Sequence, residues 1–272
     1  FNINMNTYSF PLVRSSRHKQ SPCYASFVQL LKPGSRIMHA LQIHQPEPRN
    51  LHRALTIRDF QILKFLWEMK FADGLTLHYG FFQTHKDNSQ RTSTKYAINR
   101  LTKLKALGCV DREAVLGYPT KLFRLTKFGA SLLQSNCPEI EVNYDRQPID
   151  FHTLLHDLKV SRVRVALEHL KRASNWQSER VLKQKSTIVY GLSKQYMPDG
   201  VYNSRDGELV AFELEIARKS LARYKDKIQK YVQVIRANSS SSLGFKRVLF
   251  VCEHDPIFEL LSEQTQIFPE FF

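Results

Sequence analysis

Two alternating runs, 195–203 and 208–216, flank the segment Ser204-Arg205-Asp206-Gly207, and they constrain this chain more than any other feature. Asp-Gly between alternating runs is a β-hairpin signal, because such turns need a residue that tolerates positive φ. Side chains alternate faces along a strand. Glu213 and Glu215 therefore share one face, while Phe212 and Leu214 take the other, towards a core. Pairing of the two runs brings Asp199, from Pro198-Asp199-Gly200, beside the glutamates. Three carboxylates on one sheet face repel each other unless a cation neutralises them. Hard oxygen donors suit Mg²⁺ or Mn²⁺, and such an ion polarises a phosphodiester and activates a nucleophile. An exposed acidic hairpin is the plainer reading of the same residues, and spacing alone does not separate the two.

The surroundings read as an α+β unit over residues 151–272, after a Pro-containing linker at 136–150. A helix is expected over 152–172, then a strand over 176–182 carrying Glu179, then the hairpin. A helix follows over 217–238, with Leu221, Tyr224, Ile228, Tyr231, Val232 and Ile235 as one stripe. A buried-type strand over 245–252 and a short helix after Pro256 complete the order αβββαβ. Glu179 either adds a fourth carboxylate or pairs with Arg180 or a helix cation. His152 and His156 lie one helical turn apart. No third ligand is evident, which favours a structural or DNA-facing role over metal binding. His152 could touch a phosphate near the acids.

Residues 1–50 lack periodicity and read as a flexible segment. Over 51–135 the pattern sharpens. Thr56 is an N-cap for a helix to about residue 71. A short helix follows near 75–84, and a third spans 91–107 and ends at Gly108. Strands are expected at 110–116 and 121–125, with another helix from Thr126. Three helices and a two-stranded hairpin make a winged helix-turn-helix. Opposite the apolar stripe of the third helix stand Thr92, Lys95, Tyr96, Asn99 and Lys103, and Arg91 at its start is a further DNA-binding candidate. Asn reads adenine and Lys holds phosphates or base edges. Lys121 and Arg124 are placed in the wing, within reach of flanking DNA. A winged helix that binds protein through a solvated basic face is the competing reading.

A net charge of +15 favours a polyanionic partner. No apolar run approaches the ~18–20 residues that span a bilayer, so no membrane insertion is expected. Four scattered cysteines without CxxC suggest neither a zinc ribbon nor a disulfide framework, and a reducing cytoplasm is the expected location. No signature of a small-molecule cofactor is present.

Pro198-Asp199, a spacer and Glu213-Leu214-Glu215 resemble the PD-(D/E)xK nuclease signature. Its third position is normally Lys and here is Glu215; Lys227, on the following helix, is a candidate substitute. The winged helix followed by "HTLLHDLKV", "WQSERVL", "MPDG", "FELE" and "KIQKY" resembles the replication-relaxation and MobC-type plasmid mobilisation proteins, over roughly residues 55–235. The resemblance implies a winged helix followed by a restriction-endonuclease-like domain. It implies Asp199, Glu213 and Glu215 as the metal acids, and a site- and strand-specific nick at a plasmid transfer origin. Arg218, Lys219 and Arg223 would track phosphates. Plasmid DNA would be the substrate, with an accessory mobilisation protein and a coupling protein as further partners. Attack by water or by one of eleven tyrosines stays open. Two other readings remain: a transposition or defence endonuclease that cuts both strands, and a catalytically silent DNA-binding regulator.

Overall fold

The computed structural model describes residues 3–4, 55–83, 93–185, 188–189, 191–193, 196–238 and 244–272. It is a mixed α+β structure. A two-residue strand, β1 (Ile3–Asn4), sits at one edge of the larger sheet. The next elements are α1 (Ile57–Met69), β2 (Ala72–Asp73), α2 (Gly74–Phe81), α3 (Lys95–Ala106), β3 (Val110–Glu113), β4 (Leu122–Leu125) and α4 (Lys127–Asn136). Their boundaries follow local chemistry. Thr56 and Asp59 form a capping box at α1. The Asp73 carboxylate accepts from the Thr76 N–H to open α2, and the Thr126 hydroxyl accepts from the Gly129 N–H to open α4. Strands β2, β4 and β3 pair antiparallel in that order. Beneath them Ile62, Leu63, Leu66, Leu77, Leu101, Leu104 and Leu133 are wholly buried.

The chain then runs α5 (Phe151–His169), β5 (Ala173–Ser178), α6 (Glu179–Lys185), β6 (Ile188–Val189), β7 (Leu192–Ser193), β8 (Gly200–Ser204), β9 (Leu209–Glu215), α7 (Leu221–Ala237), β10 (Arg247–Cys252) and α8 (Asp255–Thr265). The larger sheet has the order β1-β10-β9-β8-β5. The expected hairpin is present: β8 and β9 are antiparallel, and Gly207 at φ +82° makes the turn. β10 lies parallel to β9, with α7 as the crossover.

The alternation along β9 decides what each face meets. Val210, Phe212 and Leu214 join Trp176 and Tyr202 in a core continuous with that of residues 55–133. Ala211 faces a second core, built by Tyr224, Ile228, Tyr231 and Phe250 under α7. Glu213 and Glu215 share the α7 side. Among the described residues no helix is long and apolar enough to cross a membrane.

Several expectations need correction. The strand expected over 176–182 stops at Ser178. The Ser178 hydroxyl donates to the Glu68 carbonyl and faces the Val181 N–H, which favours a helical turn over continued pairing. Glu179 is consequently the first residue of α6 rather than a strand residue. Helix α6 and the β6–β7 ladder interrupt the expected αβββαβ order. The smaller sheet has a third strand, β2, too short to show alternation. The expected helix at 91–107 begins at Lys95, and Arg91 and Thr92 lie outside the described residues.

Candidate active site

The register of β9 points both glutamates at α7. Glu213 and Glu215 are only 4% and 1% exposed, so their charges must be met from within the protein. Lys227 meets them: its Nζ lies 2.8 Å from Glu213 and 3.1 Å from Glu215. Tyr231, one turn further along α7, donates its hydroxyl to Glu213. Lys219, just before the Ser220 cap of α7, reaches Glu215 at 2.7 Å. Burial raises the Glu213 pKa to about 7; Lys227 opposes that rise and the charge of Asp199 adds to it. Burial works against the charged form of Lys227, but the two glutamates outweigh it and hold the ammonium charged.

Asp199 sits just before β8. Its Oδ2 accepts the Leu214 N–H at 2.8 Å and lies 3.3 Å from His156 Nε2. The same nitrogen is 3.3 Å from the Leu214 carbonyl oxygen, and His156 Nδ1 is 3.6 Å from Asp157. Burial alone would lower the His156 pKa. The neighbouring Asp157 and Asp199 carboxylates outweigh it and raise the value to about 10, so the ring is an imidazolium at neutral pH. Gly200 has a packing reason: a Cβ there would stand 2.6 Å from Cε2 of Trp176, whose ring stacks on Tyr202.

The three acids thus divide among three protein cations. His156 holds Asp199, Lys227 holds Glu213 and Glu215, and Lys219 also holds Glu215. Their oxygen donors suit a hard divalent ion in chemistry, and Asp199 is close enough to raise the Glu213 pKa. Among the described residues, however, no group of three or more His, Cys, Asp or Glu is gathered round one point as metal ligands.

The remaining candidate residues fall into three situations. Lys95, Tyr96, Asn99 and Lys103 stand exposed on α3, over the buried Ala97, Leu101 and Leu104. Lys121, Arg218 and Arg223 are also exposed. Arg124 is not on an outer wing: it is 6% exposed and bonds Glu113 and the Gln147 carbonyl of the segment that covers β4. Lys219 is committed to Glu215 rather than free to track phosphates. Glu179 pairs with Lys183 and lines a cleft with Asp199. Of the residues that complete the site, Tyr231 had a readable signal, its i,i+4 spacing from Lys227. His156 was visible only as one of a helical histidine pair.

No curated protein and no solved structure matches the chain. Residues 63–247, from within α1 to the start of β10, match the replication-relaxation family. That likeness points to DNA as a partner and to plasmid replication or mobilisation as the setting. With more than half of its length matched, the chain belongs to the replication-relaxation family.

Proposed function

We propose that this protein is a MobC-type relaxase, a metal-dependent nickase that cuts one strand at a plasmid transfer origin. In this reading residues 51–135 are a winged helix that selects the duplex through α3. After the linker at 136–150, residues 151–272 are a PD-(D/E)xK nuclease-like domain. The observation that carries it is Lys227 Nζ between Glu213 and Glu215. The Glu-x-Glu motif lacks the signature lysine on the strand, and α7 supplies a lysine at the same carboxylates.

The chain's own groups divide the work. Asp199, Glu213 and Glu215 would hold Mg²⁺ or Mn²⁺, which when bound polarises the scissile phosphodiester. Lys227 keeps a fixed positive charge beside the acids, where charge develops on phosphate oxygens. Tyr231 fixes Glu213, and His156 fixes the orientation of Asp199. The exposed Lys95, Asn99 and Lys103 approach phosphates and base edges of the origin. Plasmid DNA is the substrate, and an accessory mobilisation protein and a coupling protein are the proposed further partners. A second reading, the silent regulator, is favoured by one observation: all three acids are already matched by protein cations.

The test is a supercoiled plasmid carrying the cognate mobilisation region. Open circles should form with Mg²⁺ or Mn²⁺ and not with EDTA, and Asp199→Asn should abolish them. Linear product would instead indicate an endonuclease that cuts both strands. Sequence-selective binding without cleavage in either ion would favour the regulator.

A further inference from the structure

A cleft of about 830 Å³ is lined by residues of α1, α5, α6 and the 144–150 segment, with Asp199 and His156 among them. Its charges are matched unevenly. Asp157 has Lys70 at 3.2 Å and His156 beside it; Glu179 has Lys183; Asp199 has His156. Of the other lining acids, Asp150 caps α5 and Asp145 accepts from Gln147. Arg180 has no such partner. Its guanidinium donates to the main-chain carbonyls of Trp67 at 2.8 Å, Asp145 at 3.1 Å and Asn143 at 3.4 Å, and it makes no ion pair among the described residues. Arg124, on the same cleft, shares the Glu113 carboxylate with Arg146, at 3.2 and 3.4 Å.

Carbonyl oxygens orient a guanidinium without neutralising it. Burial lowers the Arg180 pKa; the Asp145 carboxylate opposes this, and the neighbouring Arg124 charge lowers it further. Arg180 thus stands as a positive charge fixed by backbone carbonyls, with the Arg124 charge close by, on a cleft that a candidate catalytic acid also lines. An anion relieves that arrangement, and a guanidinium fork is well shaped for phosphate.

We propose that the cleft receives a single nucleic-acid strand, with Arg180 binding a backbone phosphate beside Asp199. The cleft volume lies within the about 300–1,000 Å³ of small-ligand pockets, a size that suits a short stretch of one strand better than a duplex. Half-buried Tyr144, on the same lining, offers a ring for a base to stack on. The purpose of the bound strand rests on the nicking reading. Its binding does not, because it needs no metal.

The experiment is fluorescence anisotropy with the full chain in EDTA, using a short labelled oligothymidylate and, separately, an origin duplex. Arg180→Gln should weaken single-strand binding about tenfold and flatten its salt dependence by about 0.7 in slope, the value for one phosphate contact on a single strand. Duplex affinity should change less than about twofold, whereas Lys95→Ala should show the reverse pattern. Unchanged single-strand affinity in a stably folded Arg180→Gln, or a loss shared equally by the duplex, overturns the proposal. If that variant melts early, Tyr144→Ala decides. About a fivefold loss on the single strand supports the proposal, and no loss overturns it. Failure here leaves the nicking reading standing, and failure of nicking leaves strand binding measurable.

Discussion

Lys95 and Lys103 on α3 stand in solvent, and neither makes an ion pair among the described residues. Lys227 on α7 lies under the larger sheet, within 3.1 Å of two carboxylates that are almost wholly buried. All three are lysines on amphipathic helices, and the helical wheel treats them alike. Their surroundings assign them opposite work. A solvated cation with no internal partner is available to a polyanion from outside, and its contribution is screened by salt. A half-buried cation between two buried carboxylates is committed to the fold, and removing it strands charge in a poor solvent for charge.

That contrast can be broken most directly at α7. Lys227→Met should destabilise the protein on the order of 3–5 kcal/mol, because Glu213 loses its counter-charge and Glu215 keeps only Lys219. Denaturant unfolding measures this. Glu213→Gln in the same background should restore part of the loss, and a neutral Lys227→Met would remove the lysine from the account.

The next largest effect is at the hairpin. Gly200→Ala drives a methyl into the Trp176 ring and should cost about 1–3 kcal/mol. A shift in unfolding midpoint with unchanged duplex binding would keep this effect on the buried side of the comparison.

His156 sharpens it through pH. Its folded pKa of about 10 lies above the ordinary value of 6.5. Its stabilising contribution is therefore complete below about pH 6.5 and disappears as pH rises through about 10. Unfolding midpoints of the wild type should fall over that window, and those of His156→Gln should fall less. Parallel curves would show that the ring is not charged where it sits.

On α3 the effect on stability should be the smallest. Lys95→Ala and Lys103→Ala should each change stability by less than about 0.5 kcal/mol. Each should also reduce the salt slope of duplex binding by about 0.9. An unchanged slope would remove that lysine from the DNA surface.

The same contrast explains what could be read from the chain alone. The face of α3 was legible because a 3.6-residue period with Ala97, Leu101 and Leu104 inside fixes which side is wet. The β8–β9 turn was legible because Asp-Gly and the flanking alternation are local signals, and so were the Thr56 and Thr126 caps. The partners of the acids were not. His156 is 58 residues from the Leu214 carbonyl it approaches, and only the folded sheet brings α5 to β9. Arg124, expected in the wing within reach of flanking DNA, is instead buried. Strand alternation cannot foresee that the irregular 137–150 segment folds back and places the Gln147 carbonyl over its guanidinium. Glu179 was misplaced because Ser178 ends the strand through a tertiary bond to the Glu68 carbonyl.

The central claim is that recognition on α3 and chemistry at the acids are separable. Duplex binding and single-turnover nicking should be measured on the same preparations of Glu213→Gln and of the Lys95→Ala, Lys103→Ala double variant. The account predicts that the first binds origin DNA like the wild type and does not nick. The second should bind weakly and nick at the wild-type rate once DNA is saturating. A Glu213→Gln protein that is folded and nicks normally, or one that loses binding along with cleavage, would contradict it.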